Sequence, residues 1–284
     1  MILIADSGST KTDWMGYISA KPVRFHTQGI NPYFLNAQDI YELFASKKDL
    51  GFNPADVEKI YFFGAGCATY DADEVISSGL SLFFTNADIS CENDLVASAY
   101  ATCGDEKGLT CILGTGSNIS YYDGTKLHEG KYGLGYILGD EGAGTHLGKK
   151  LVASYLYGYM PEELSILFEK NYQIDKEAII TSVYQKSFPN TYLASLSSFM
   201  INHTTHPFII SIINEVFQEF VDTNIKSYTN YKELNCHFVG SIAYYYQDIL
   251  RKTCQDNEVK TGKILQKPIE AIYHYMLKKE GISI

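Results

Sequence analysis

Long uncharged apolar runs are missing from this chain, and none approaches the ~20 residues that a helix needs to cross a bilayer. Also missing at the start is a basic segment, apolar core and cleavage site in that order, so no signal peptide is apparent. The six cysteines, Cys67, Cys91, Cys103, Cys111, Cys236 and Cys254, form no Cys-x-x-Cys pair. Several sit in apolar surroundings, as reduced core thiols do. A cytoplasmic protein without a membrane partner is the expectation. His203 and His206 are close, but no cysteine or carboxylate cluster accompanies them, which argues against a structural zinc site. Positive charge is scarce as well. A net charge of −10 leaves no basic face for nucleic acid. It does not exclude a nucleotide, because one cleft lysine and a divalent cation reverse the sign locally. No low-complexity linker interrupts the chain.

What is present is globular: 45% hydrophobic and 20% charged residues, ample for sizeable cores. At 284 residues, two lobes are the better expectation. The organising stretch is Ile2 to Trp14, ILIADSGSTKTDW. An apolar run with a buried-strand pattern ends in Asp6, Ser7 to Thr10 reverse the chain, and Thr12 begins a second strand. Gly8 lets backbone amides approach an anion, as phosphate cradles require. The hydroxyls of Ser7, Ser9, Thr10 and Thr12 and the ammonium of Lys11 add donors. Asp6, at a strand's carboxyl end, could hold a hydrated magnesium ion. A polar hairpin turn explains the stretch equally well when it is taken alone.

Further along, Pro22 to Thr27 can form a third strand, and Gly29, Asn31 and Pro32 mark a turn. Asn31 is either a turn former or an amide reading a ligand's hydroxyls. Asn36 to Lys48 carries a helical stripe with Asn36 as N-cap. Lys59 to Gly66 reads as a buried strand, Asp73 to Leu82 as a helix and Ala87 to Cys91 as a strand, which is an α/β pattern. Glu92-Asn93-Asp94 then opens a helix of small and apolar residues. That junction is where α/β folds place ligand chemistry, although an N-cap carboxylate is the plainer role for Asp94.

Leu109 to Tyr122, LTCILGTGSNISYY, repeats the opening stretch in kind, with Thr115-Gly116-Ser117 beneath Ser7-Gly8-Ser9. A repeated strand–loop–strand unit implies two similar lobes. Gly133 to Gly144 is the densest glycine cluster, and its spacing is not Gly-x-Gly-x-x-Gly. Asp140 or Glu141 could simply favour the positive end of the helix Thr145 to Tyr157, but so many glycines fit a loop pressed against a ligand better. Residues 161–232 are helical in character, with Phe208 to Val221 as one apolar stripe. Asn235 to Val239 reads as a strand, which Gly240-Ser241 joins to a helix over Ile242 to Cys254. Lys267-Pro268 starts the last helix. The boundaries expected are an N-terminal lobe over 1–106, joined by the helix 267–284, and a C-terminal lobe over 107–266.

Taken in order, these stretches resemble the sugar-kinase branch of the actin/hexokinase superfamily, and within it the N-acetylglucosamine kinase family, in the group that includes the BadF/BcrA-type ATPases. The matches are Asp6-Ser-Gly-Ser-Thr-Lys-Thr, Asn93-Asp94, Gly114-Thr-Gly-Ser-Asn118, Gly139-Asp-Glu-Gly142 and Phe238-Val-Gly-Ser241, and they span nearly the whole chain. The resemblance implies an α/β fold of two ribonuclease-H-like, actin-like ATPase lobes that close a cleft over magnesium-ATP and an amino sugar. It makes Asp94 the catalytic base. Ser9, Thr10, Lys11, Thr115, Gly116 and Ser117 would hold phosphates, Gly240 and Ser241 would border the adenosine, and Asp6 would hold magnesium through water. Asn31, Asn93, Gly133, Gly135 and Asp140 would read the sugar. The implied reaction is phosphorylation of N-acetylglucosamine to its 6-phosphate.

Two departures qualify that reading. The chain is compact for the family, and the acetamido pocket cannot be traced residue by residue. N-acetylmuramic acid or glucosamine therefore fit as alternative substrates. Rivals of another class are an ATPase activator of the BadF/BcrA type, which would hold an iron–sulfur cluster between subunits through cysteines, and a sugar- or nucleotide-binding regulator without turnover. A homodimer is compatible with the sequence.

Overall fold

The computed structural model describes residues 1–8, 11–18, 21–47, 50–64, 67, 70–128, 130 and 133–282. The chain forms two compact units. One is discontinuous, Met1–Asp105 with Lys267–Ile284, and the other is the continuous stretch Glu106–Gln266.

In the discontinuous unit, β1 (Ile2–Ser7), β2 (Lys11–Ile18), β3 (Lys21–Gln28), β4 (Lys59–Gly64) and β5 (Asp88–Asn93) build one sheet in the order β3-β2-β1-β4-β5. β1 pairs antiparallel with β2 and parallel with β4. Alternation along each strand sends residues to opposite faces. Leu3, Ala5, Trp14 and Phe62 enter one core with Ile40, Phe44, Ile76, Leu80 and Phe84. Trp14 anchors it, stacked on Phe25 at 5.6 Å and edge-on to Phe44 at 5.2 Å. The opposite face therefore carries Asp6, Asp13, Met15 and Phe63. It is covered by the helices Asp94–Thr102 and Ile269–Lys279, with Tyr17 stacked on Tyr273 and Phe63 edge-on to Tyr100.

Local signals set the helix starts. Asn36 caps the helix Ala37–Ala45 in a reciprocal box, its Oδ1 accepting the Asp39 N–H at 3.0 Å while Asp39 Oδ2 accepts the Asn36 N–H at 2.9 Å.

The continuous unit repeats the plan. Its strands are β6 (Gly108–Leu113), β7 (Ser117–Tyr122), β8 (Leu127–His128), β9 (Asn235–Val239) and β10 (Lys260–Leu265), in the order β10-β9-β6-β7-β8. As with β1, the first strand is flanked by an antiparallel partner, β7, and a parallel one, β9. Between β8 and β9 runs a block of helices. Its longest member, Pro207–Thr223, buries Ile209, Ile212, Ile213, Val216, Phe217, Phe220 and Val221 as the expected apolar stripe.

Three elements differ from expectation. β8 and β10 were unforeseen, because one is two residues long and the other holds a glycine in place of an apolar alternation. The helix expected over 242–254 is two helices, Ser241–Tyr245 and Gln247–Asp256, broken at Tyr246. The Tyr246 hydroxyl is buried and donates to the Ser197 carbonyl at 2.8 Å. Within the glycine cluster lies a single helical turn, Gly135–Leu138. No helix among the described residues is long and apolar enough to cross a membrane.

Candidate active site

At the end of β1 the hairpin is held by side chains. Gly8 N–H donates to the Lys11 carbonyl at 3.0 Å, closing the turn. The Ser7 and Thr12 hydroxyls, 2.7 Å apart, are buried. Ile30 N–H donates to both, at 3.0 and 3.2 Å, while Ser7 Oγ donates to the Ile30 carbonyl and Thr12 Oγ1 to the Gln28 carbonyl. These two hydroxyls, expected as ligand donors, are instead fully used in pinning the segment that leads to Asn31. Asn31 is a turn former, its Oδ1 accepting the Tyr33 N–H at 2.9 Å. Ser9 and Thr10 lie outside the described residues.

Asp6 stands one residue from the end of β1, directly opposite Asp13. Burial, then the carboxylates of Asp94 and Asp13, push its carboxyl up to about 7. Asp13 goes the other way, because Lys11 (2.6 Å) and Lys267 (3.3 Å) both reach it and hold its carboxyl below the usual range against some burial. Neither Asp13 nor Lys267 was foreseen. Their only sequence signal is an acidic residue at an inward position of a strand and a lysine just before a helix-opening proline.

Asp94 begins the helix Asp94–Thr102, but it is not the cap. Asn93 is the N-cap, its Oδ1 accepting the Leu95 N–H at 2.9 Å. The plainer role for Asp94 is thereby filled by its neighbour, which spends its side-chain oxygen on the helix start. Burial raises the Asp94 carboxyl, while backbone amides at the helix start pull it back down. The result is a half-buried carboxylate beside Asp6 with a stronger appetite for a proton than an ordinary aspartate.

In the continuous unit the candidate residues converge through backbone contacts. Gly114 N–H donates to the Gly116 carbonyl at 3.0 Å, so the β6–β7 connection is a tight turn. The helix Gly144–Leu156 docks its positive end there, Gly144 N–H donating to the Gly114 carbonyl and Thr145 N–H to the Thr115 carbonyl at 2.9 and 3.1 Å. Gly240, at φ 122°, lies against the same turn, and a Cβ on it would sit 2.3 Å from the Leu113 carbonyl oxygen. Ser241 follows, exposed, as the first residue of its helix.

Asp140, in the left-handed region at φ 59°, aims its carboxylate into the turn. Its Oδ1 accepts the Ser117 N–H at 3.2 Å, and a Cβ on Gly116 would lie 2.9 Å from its Oδ2. Burial raises the Asp140 carboxyl, with the Ser117 amide and Lys149 opposing. Ser117 thus spends its N–H on Asp140 and keeps its hydroxyl for a ligand, and Asp140 braces the turn with one of its two oxygens. Among the described residues no partner is seen for the N–H groups of Thr115 and Gly116. Gly133 and Gly135 are exposed; a Cβ on Gly133 would lie 4.0 Å from the Asn118 Nδ2 just beyond the turn, and Gly135 opens the helical turn.

Asp6 suits a magnesium ion held through water. It is one half-buried carboxylate whose ionisation is opposed by its surroundings, and a divalent cation would remove that opposition. Among the described residues there is no group of three ligating side chains that would grip a metal directly.

Two sheets of one strand order, each opening on a glycine hairpin, define the actin/hexokinase-like class of α/β proteins. No protein-family profile and no curated protein matches the chain. Among solved structures, a candidate N-acetylglucosamine kinase from Porphyromonas gingivalis is 37% identical, with 99% of this chain and 100% of the other covered and a TM-score of 0.93. A second candidate N-acetylglucosamine kinase, from Chromobacterium violaceum, shares the fold at 16% identity and TM-score 0.71, over 97% of this chain and 98% of its own. A ROK-family transcriptional regulator, a homologue of the Escherichia coli MLC protein, shares it at 9% identity and TM-score 0.58, over 98% and 80%. The chain belongs to the family of the Porphyromonas gingivalis protein, the sugar kinases of the actin/hexokinase-like fold.

Proposed function

We propose that the chain is a cytoplasmic, ATP-dependent amino-sugar kinase of the N-acetylglucosamine kinase family, in the BadF/BcrA group, acting on N-acetylglucosamine to give the 6-phosphate. The observation that carries the reading is Asp94. It is a carboxylate at a strand-to-helix junction where Asn93 is the N-cap, and burial raises its proton affinity against the pull of amides at the helix start. A sugar's primary hydroxyl is a poor nucleophile. Asp94 accepts its proton as the oxygen attacks the γ-phosphorus of ATP, the bond to the β-phosphate oxygen breaks, and ADP leaves.

Magnesium bound with ATP supplies charge neutralisation on the phosphates, and Asp6 would hold it through water. The Thr115 and Gly116 amides are donors of the kind that stabilise charge developing on a transferring phosphoryl group. Lys11 adds a cation from the other hairpin, and Gly240 with Ser241 borders the adenosine. Asn31, Asn93, Asp140 and the Gly133–Gly135 segment are the sugar-side candidates. Asn31 and Asn93 would do so through their Nδ2 groups and Asp140 through Oδ2, since their other oxygens are engaged. No disulfide joins the six cysteines, and all but Cys91 are buried, which speaks against an iron–sulfur activator.

The test is an ADP-release screen over N-acetylglucosamine, N-acetylmuramic acid and glucosamine. Turnover fastest on N-acetylglucosamine is the expected result. A protein that binds a sugar and releases no ADP with any of them would be a regulator instead.

A further inference from the structure

The register of the first sheet sets Asp6 directly opposite Asp13 on one face. Like charges in directly opposed positions of an antiparallel pair destabilise it. Asp94 adds a third carboxylate near Asp6. MgATP is itself an anion, so this end of the sheet would repel it unless enough positive charge were gathered there.

That charge arrives from two distant places. Lys11 comes from the hairpin and lies 2.6 Å from Asp13 Oδ1, and Lys267 comes from the start of the last helix and lies 3.3 Å from Asp13 Oδ2. Each oxygen of one carboxylate thus holds a different ammonium. The helix that delivers Lys267, Ile269–Lys279, is itself fixed by Tyr273 against Tyr17 and Tyr275 against Tyr100. Lys267 is 59% exposed, and a cavity of about 190 Å³ lies beside it, lined also by Arg24 and His26. An ion pair so open to water adds little to stability. Its effect falls instead on the charge of its surroundings, and its ammonium has room to turn to a ligand.

We infer that Asp13 and Lys267 complete the phosphate side of the site: Asp13 is a positioning residue that holds two ammoniums level with Asp6, and Lys267 is a second cation for the nucleotide's phosphates. The inference rests on the kinase reading above.

The experiment measures MgADP binding by calorimetry, steady-state kinetics and thermal stability for the full chain, Lys267→Met, Lys267→Arg and Asp13→Asn. Lys267→Met should weaken MgADP binding and raise the KM for MgATP about tenfold, as loss of one charged phosphate contact does. The amino-sugar KM should stay unchanged, Tm should remain within about 2 °C, and Lys267→Arg should recover most of the affinity. Asp13→Asn is the sharper arm. Removing a negative charge should tighten anion binding on charge alone, so weaker MgADP binding marks a positioning role and tighter binding overturns it. Unchanged MgADP affinity in Lys267→Met, with Tm lowered, would make the pair a structural tie and overturn the inference. If the unaltered chain binds MgADP but phosphorylates no amino sugar, the kinase reading fails while the Lys267 result still stands or falls on its own. If it binds no MgADP, both fail.

Discussion

At the first hairpin the work is done by side chains: Ser7 and Thr12 pin Ile30, Asp6 and Asp13 face each other, and Lys11 answers Asp13. At the second it is done by backbone: the carbonyls of Gly114 and Thr115 receive a helix start, and Gly240 packs against Leu113 without a Cβ between them. The second connection is also one residue shorter, β6 closing on β7 with Leu113 opposite Ser117, where Ser7 stands opposite Thr12. Two copies of one topology are thus built differently, the first turn from charged and hydroxyl side chains and the second from close backbone packing. Removing side chains should break the first, and adding them should break the second.

The largest expected effect follows from the first half of that contrast. Asp94→Asn should cut sugar phosphorylation by roughly 10²–10⁴-fold while leaving nucleotide binding nearly intact. Because a buried carboxylate is replaced by a neutral amide, Tm should hold or rise. Near-normal rates on the best sugar would remove Asp94 from the chemistry.

Gly240→Ala should do the opposite and cost fold before function. Its Cβ would meet the Leu113 carbonyl at 2.3 Å from a φ of 122°, a combined loss of roughly 3 kcal/mol in denaturant titration. An alanine tolerated there would mean that the second turn is not held by close backbone approach.

The two units should also respond to pH in opposite directions. Burial lowers His237 to about 4, so it folds neutral. Its contribution is complete above the ordinary histidine value and is lost as pH falls through 4, about 2 kcal/mol of it between pH 7 and 5. Asp6 is raised to about 7, so the folded chain keeps a proton that the unfolded chain has released. That contribution is present below pH 4 and gone once pH passes 7, and magnesium should shrink the loss as pH rises. Stability curves of His237→Gln and Asp6→Asn against pH separate the two, and a flat acid limb shared by His237→Gln and the unaltered chain would deny His237 its part. Smallest of all, Thr115→Val should weaken nucleotide binding a few-fold, roughly 1 kcal/mol, with sugar binding less affected. The reverse ranking by calorimetry would reassign the turn.

Local chemistry was legible in the sequence wherever one residue decides one contact. Asn36 as a cap, the glycine turns and the apolar stripe of Pro207–Thr223 all announce themselves within a few positions. What escaped is set by distant partners. β10 has no alternation because its place comes from pairing with β9, with Gly262 pressed on the His237 ring. Asp13 is one acidic residue in a strand until the register sets it against Asp6 and the last helix brings Lys267. The exchange of roles between Asn93 and Asp94 depends on one hydrogen bond that either residue type can make.

The last helix carries a consequence for the order in which the molecule is made. Residues 106–266 form their unit from one uninterrupted segment, whereas the first sheet waits for Ile269–Lys279 to cover the face that bears Asp6. On the ribosome, where domains fold as they emerge, the segment translated second is complete before the segment translated first. Until residue 267 appears, Asp13 has Lys11 and lacks the second of its two ammoniums, and the sheet lacks one of the two helices that cover its acidic face.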